Sequence, residues 1–201
     1  MNIKKATFFI LPVIVVIITY KVITNVNINP NLKVGEVVDS LNDVEVYYNG
    51  GVNHVLERNK TPDGYNIGLK YQCVEFVKRY YLEHFNHRMP DTYGHAKDFF
   101  DETIAHGDVN PKRGLKQYRN NGNATPEGGD LLVYKPSITN PYGHVAIVSH
   151  VDLTTMEIEI VQQNPGPFSP SRETYPLKEE LSGWHIDNDR IVGWLRMTRD
   201  E

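Results

Sequence analysis

The sequence predicts an α+β fold, with helices from the first half packed on an antiparallel sheet from the second. Three observations predict it. Val74, Val77, Tyr81 and Phe85 fall at helical spacing and form one apolar stripe. After residue 130 the period changes, and four runs rich in Val and Ile follow, separated by links bearing Pro, Gly, Asn or Thr. A hydrophobic content of 40% against 23% charged residues suffices for one core. Helical pattern first and strands afterwards is the α+β order.

Taken in order, residues 1–26 read as a membrane anchor or signal segment. Lys4 and Lys5 precede the uncharged run "ATFFILPVIVVIITY", the composition of an export segment. That run alone extends about 22 Å as a helix, short of a hydrocarbon core of roughly 30 Å. Continued to Val26, with Lys21 reaching back to the interface, it is long enough. It leaves through Tyr20, Lys21 and Val22, a poor cleavage site, so an uncleaved hydrophobic helix is expected, with secretion after cleavage as the alternative. The lysines would stay cytoplasmic and send the remainder outside. Residues 27–43 read as a polar, Asn-rich linker, and residues 44–201 as the domain proper. "VEVYYNGG" is a short strand ending in a turn, and residues 52–70 are loop-like around Pro62, Asp63 and Gly64. The striped helix follows, then a second helix over 95–105 and a long polar loop over 115–130. "DLLVYK", "HVAIVSHV", "MEIEIVQQN" and "RIVGWLRM" are the four strands.

The bulk numbers exclude several classes. The net charge is −4 and the basic residues form no stripe, so a nucleic-acid partner is not expected. A single cysteine excludes an internal disulfide framework and a cysteine-based zinc site. His84, His87, Asp91 and His95 lie near one another but form no tight metal-ligand motif.

That one cysteine, Cys73, opens the striped helix. The positive end of a helix dipole favours thiolate there. Gln72 precedes it, and its amide could join the Cys73 N–H as an oxyanion donor. A thiol nucleophile also needs a base and a group to orient that base. Among the histidines, His144 stands out, after Gly143 at the mouth of a hydrophobic strand, sharing a face with Ala146 and Val148. Alternation puts Gln162 and Asn164 on one face of the next strand, and either could hold the His144 ring. Lys78 and Arg79, about one and a half turns beyond Cys73, are candidates to bind a substrate carboxylate.

The blocks "YQCVEFVKRYY", "GGDLLVYK", "GHVAIVSHV", "IEIVQQN" and "IVGWLRM" together resemble the CHAP domain over residues 44–198. These domains are cysteine, histidine-dependent amidohydrolases and peptidases of the papain-like superfamily. Within the family the likeness extends to the amidase domain of bifunctional glutathionylspermidine synthetase/amidases. The resemblance implies Cys73 as nucleophile, His144 as general base and no metal or organic cofactor. It also marks a departure. The family often carries a glutamate two residues before the strand-end asparagine; here that position is Gln162, with Asn164 as the asparagine. The resemblance implies amide substrates, either peptidoglycan stem peptides met outside a bacterial cytoplasmic membrane or glutathionylspermidine. A third expectation is a binding module that keeps the fold without activity.

Overall fold

The computed structural model describes residues 3–138 and 140–198, with side chains from residue 12 onward. The side chains of Lys4 and Lys5 therefore lie outside the described set. Helix α1 (Ile3–Asn25) is followed by an antiparallel hairpin of β1 (Val37–Leu41) and β2 (Val44–Tyr47). A second hairpin joins β3 (Arg58–Lys60) and β4 (Asn66–Leu69). Helix α2 (Cys73–Phe85) comes next, then a short 3-10 turn at Ala96–Phe99. The remaining strands are β5 (Val109–Asn110), β6 (Leu115–Arg119), β7 (Leu131–Tyr134), β8 (His144–Asp152), β9 (Glu157–Val161), β10 (Arg172–Glu180), β11 (Gly183–Ile186) and β12 (Ile191–Arg196).

These eight strands form one sheet in the order β11-β10-β9-β8-β7-β12-β6-β5, antiparallel throughout. The sheet rolls nearly shut. Trp184 on edge strand β11 donates its N–H to Gly122 O at 2.7 Å, and Asn121 N–H reaches Trp184 O at 2.9 Å, just beyond β6. Alternation along the strands then serves two cores. Val145, Ile147, Val161 and Leu195 face α2 and pack with Phe76, Val77, Tyr80 and Tyr81. Ala146, Val148, Ile160 and Trp194 face the other way and pack with Leu177 and Ile186.

The α+β class and the four expected strands are as the sequence predicts, but several elements differ. The run 27–43 is no plain linker, because β1 pairs with β2 across a turn in which Asn42 and Asp43 both have positive φ (48° and 65°). Asn and Asp tolerate that region, which makes them hairpin formers. The loop-like run 52–70 contains β3 and β4. The helix expected over 95–105 is only the 3-10 turn, and the polar loop expected over 115–130 begins with β6. Strand β10 carries Lys178, Glu179 and Glu180 on exposed positions, and β11 is only four residues, GWHI, which hid them from an apolar-run reading.

The N-terminal segment is helical, with Pro12 inside it. Among the described residues, however, no helix is long and apolar enough to cross a membrane. The expected membrane-spanning anchor is therefore not supported. The described part of α1 mixes Thr19, Tyr20, Lys21, Thr24 and Asn25 with its apolar residues, and its last turn is seated on the domain. Thr24 O accepts the Asn53 N–H at 2.7 Å. Gly51 lies so close that a Cβ there would sit 2.5 Å from Thr24 O, so only glycine fits.

Helix α2 is tied to the sheet by a buried polar network. Glu75 is 1% exposed and accepts from Arg79 Nε (2.8 Å), Asn59 Nδ2 (2.9 Å) and Gln163 Nε2 (2.9 Å). Gln163 also donates to Gln72 O at 3.0 Å and accepts the Tyr47 N–H at 2.8 Å. Arg79 stacks over the Tyr47 ring at 4.9 Å and donates to Glu45 O. Removing one partner of such a pair leaves a charge buried and uncompensated. Arg79→Ala should cost about 3–5 kcal/mol in urea unfolding, whereas the double change Glu75→Leu, Arg79→Met should cost clearly less.

Candidate active site

Cys73 is the first residue of α2, and Gln72 caps it with extended backbone (φ −77°, ψ 159°). The thiol is 7% exposed and lies in hydrogen-bond range of the backbone N–H of Val145, the residue after His144. Helix start and strand start thus meet at one point. The dipole does not win there. Burial pushes the thiol up to about 11, against the backbone N–H groups of Val145, Val74 and Cys73, which pull it down. The expected lowering of the thiol pKa is therefore corrected: with the thiol buried, desolvation is the larger effect.

His144 sits at the mouth of β8 and contacts the Tyr134 ring at 5.5 Å. Its Nε2 is 2.8 Å from Gln162 Oε1. The Gln162 amide nitrogen donates instead to Pro170 O at 3.3 Å, which fixes the amide so that oxygen faces the ring. Nε2 therefore carries the proton, and Nδ1 is the basic nitrogen. Burial drives His144 down to about 4; the Gln162 bond opposes this, the Arg190 charge lowers it further and Glu173 raises it.

The structure separates the two candidates for holding the ring. Asn164 does not reach it, because positive φ (59°) breaks the strand alternation. Its Nδ2 donates to Val52 O and to Gln72 Oε1, both at 2.9 Å. Gln72 in turn donates to His54 O at 2.6 Å and Val52 O at 3.4 Å. The Gln72 amide is thus held by the 52–54 loop rather than pointing bare into the cleft. That loop takes the Thr24 end of α1 on its other side.

Lys78 and Arg79 do not face a ligand. Lys78 is 1% exposed, donates to Asn66 O and to Thr92 O (2.9 Å), and burial holds it down to about 8. Arg79 belongs to the Glu75 network. Both point away from the cleft because they fall on the buried faces of α2, a correction to their reading as carboxylate binders.

The cleft itself has a volume of about 550 Å³. It is lined by His144, Gln162 and Asn164 and by Tyr20, Ile23 and Thr24 of α1, with Glu173 and Arg190 as its charged residues. Sequence reasoning missed α1, Glu173 and Arg190 as parts of it, since none carries a motif. Among the described residues no group of three or more His, Cys, Asp or Glu could hold a metal ion.

Comparison with known proteins gives the family. The family model of the CHAP domain matches residues 62–164, more than half of the 201-residue chain. A glutathionylspermidine synthase of Crithidia fasciculata is 30% identical over 140 residues, 64% of this chain. A trypanothione synthetase of the same organism is 32% identical over 89 residues, 44% of this chain. The matched segments are only 19% and 14% of those proteins. A solved wild-type endolysin, LysIME-EF1, aligns over 72% of this chain and 60% of its own at 21% identity and a TM-score of 0.38, too distant to bear on function. The chain belongs to the CHAP domain family, and that membership implies amidase or peptidase activity.

The histidine has a consequence for stability. Its folded pKa of about 4 lies below the ordinary 6.5. Between those values the unfolded chain takes a proton that the folded one refuses. Stability should be full above pH 6.5 and fall by up to about 3 kcal/mol as pH drops to 4. Denaturation at stepped pH should show this slope, and His144→Gln should flatten it.

Proposed function

We propose that the chain hydrolyses amide bonds with Cys73 as nucleophile and His144 as general base. The observation that carries this is the bond from His144 Nε2–H to Gln162 Oε1, 2.8 Å long, beside a thiol that touches the next residue's N–H. It leaves Nδ1 as the proton acceptor. Thiol and imidazole are both neutral at rest, so the thiol proton passes to Nδ1 as sulfur attacks the carbonyl carbon. The Cys73 N–H stabilises the oxyanion, and Gln72 joins it on release from the 52–54 carbonyls. The imidazolium protonates the leaving amine as the C–N bond breaks. Water, deprotonated by His144, then cleaves the thioester and restores the thiol. Gln162 orients the ring, and Asn164 positions Gln72.

The substrate proposed is the peptidoglycan stem peptide, cut outside a bacterial cytoplasmic membrane, in the periplasm or at the cell surface. Lys4 and Lys5 followed by the apolar run 6–20 support export. The second reading, an amidase releasing glutathione and spermidine from glutathionylspermidine, is favoured by the 30% identity to the Crithidia fasciculata synthase. To test between them, the whole chain and its Cys73→Ala variant would digest purified peptidoglycan, with products read by mass spectrometry. New muropeptides absent from the variant support the first reading. Intact peptidoglycan, with glutathione released from glutathionylspermidine, moves the second to first place. Cleavage of neither, with wall binding retained, leaves a non-catalytic module.

Gln162 supplies a separate check. Gln162→Ala should lower kcat roughly 10²-fold or more, since an unheld ring loses its tautomer and position. Gln162→Glu places a negative charge against Nε2 and raises the His144 pKa. The base must be neutral to act, so the acid limb of the pH–rate profile should move to higher pH, by about 1–2 units.

A further inference from the structure

We infer that Arg190 is a specificity residue, binding a carboxylate of the amide substrate beside His144. This rests on the amidase reading above and names what the cleft selects. Arg190 immediately precedes β12, with its backbone locked: Lys135 N–H donates to Arg190 O at 2.8 Å, and Arg190 N–H donates to Asn188 Oδ1 at 3.0 Å. The side chain lines the cleft and is close enough to lower the His144 pKa through its charge. Its Nη2 reaches Lys135 O at 3.3 Å, at the long end of hydrogen bonding.

Among the described residues its Nε is buried and has no hydrogen-bond partner. A guanidinium N–H left unpaired in a buried place is costly, and a carboxylate in the cleft that draws the side chain towards it relieves that cost. Among the described residues no carboxylate forms an ion pair with Arg190. The other charged residue of the cleft, Glu173, is engaged by the Tyr175 hydroxyl. The Arg79 and Arg196 guanidiniums, by contrast, are met by carboxylates at 2.6–2.8 Å. Arg190 is therefore the cleft's unmatched cation. A guanidinium matches a carboxylate in shape and charge, through two parallel N–H···O bonds. Peptides with a free carboxylate near the scissile amide are the class it selects.

The test uses the whole chain carrying Cys73→Ala, so that ligand stays uncut. The probes are peptidoglycan stem peptide with its native carboxylates and the same peptide after conversion of those carboxylates to carboxamides. Calorimetry should show the carboxylate form binding at least tenfold tighter. Adding Arg190→Gln should erase that preference while leaving carboxamide affinity within about threefold, and Arg190→Lys should restore part of it. The inference is overturned if the preference survives Arg190→Gln, if the unsubstituted cleft shows none, or if both forms weaken equally. Failure of the amidase reading looks different: the native chain leaves both peptide forms uncut, while the Arg190-dependent preference stands.

Discussion

The Glu75 carboxylate is the constraint on which the rest of the site depends. It is buried in the first turn of α2, where only hydrogen bonds make a charge tolerable. Arg79, Asn59 and Gln163 supply them. Because Gln163 belongs to the stretch leaving β9, and its neighbour Gln162 holds His144, one network sets where the helix start lies relative to the imidazole. Gln163 also grips Gln72 O, the carbonyl just before the thiol. The candidate nucleophile, base and orienting amide come from three elements, yet their spacing rests on a single polar cluster beneath them.

A neutral thiol and a neutral imidazole are the electrostatic outcome of packing both groups away from water. An amide at Gln162 sharpens this, since it orients the ring but adds no charge to favour imidazolium. In the mechanism proposed, proton transfer and attack are thereby coupled. The Gln72 amide is likewise committed elsewhere at rest, to the carbonyls of Val52 and His54. In the mechanism proposed, substrate entry must change the solvation of Cys73 before reaction proceeds.

Much of this could be read from residue order alone. Cys73 at the head of an apolar stripe and His144 at the mouth of an apolar strand mark two corners of the candidate site, and alternation placed Gln162 on a face that meets the His144 ring. The same alternation misplaced Asn164, because a single positive φ turns a side chain out of register and leaves no trace in polarity. Lys78 and Arg79 misled for a related reason: charged residues suggest a solvated face, and only the tertiary partners Asn66, Thr92 and Glu75 make their burial possible. Strand β10 escaped notice because its outward residues are charged and β11 because it is short, and their inward anchors, Leu177 and Ile186, are few. Arg190 carries no local signal at all; its importance comes from a partner it does not have.

The chain holds one sulfhydryl, and it lies at the meeting point of α2 and β8. Any thiol reagent therefore counts chains one for one, without a background of other cysteines. Because that sulfur is nearly closed off by its surroundings, the speed of labelling is also a clock for how often the packing between α2 and β8 opens. The protein thus contains its own reporter, in which stoichiometry gives the number of chains and time course gives the accessibility of that junction.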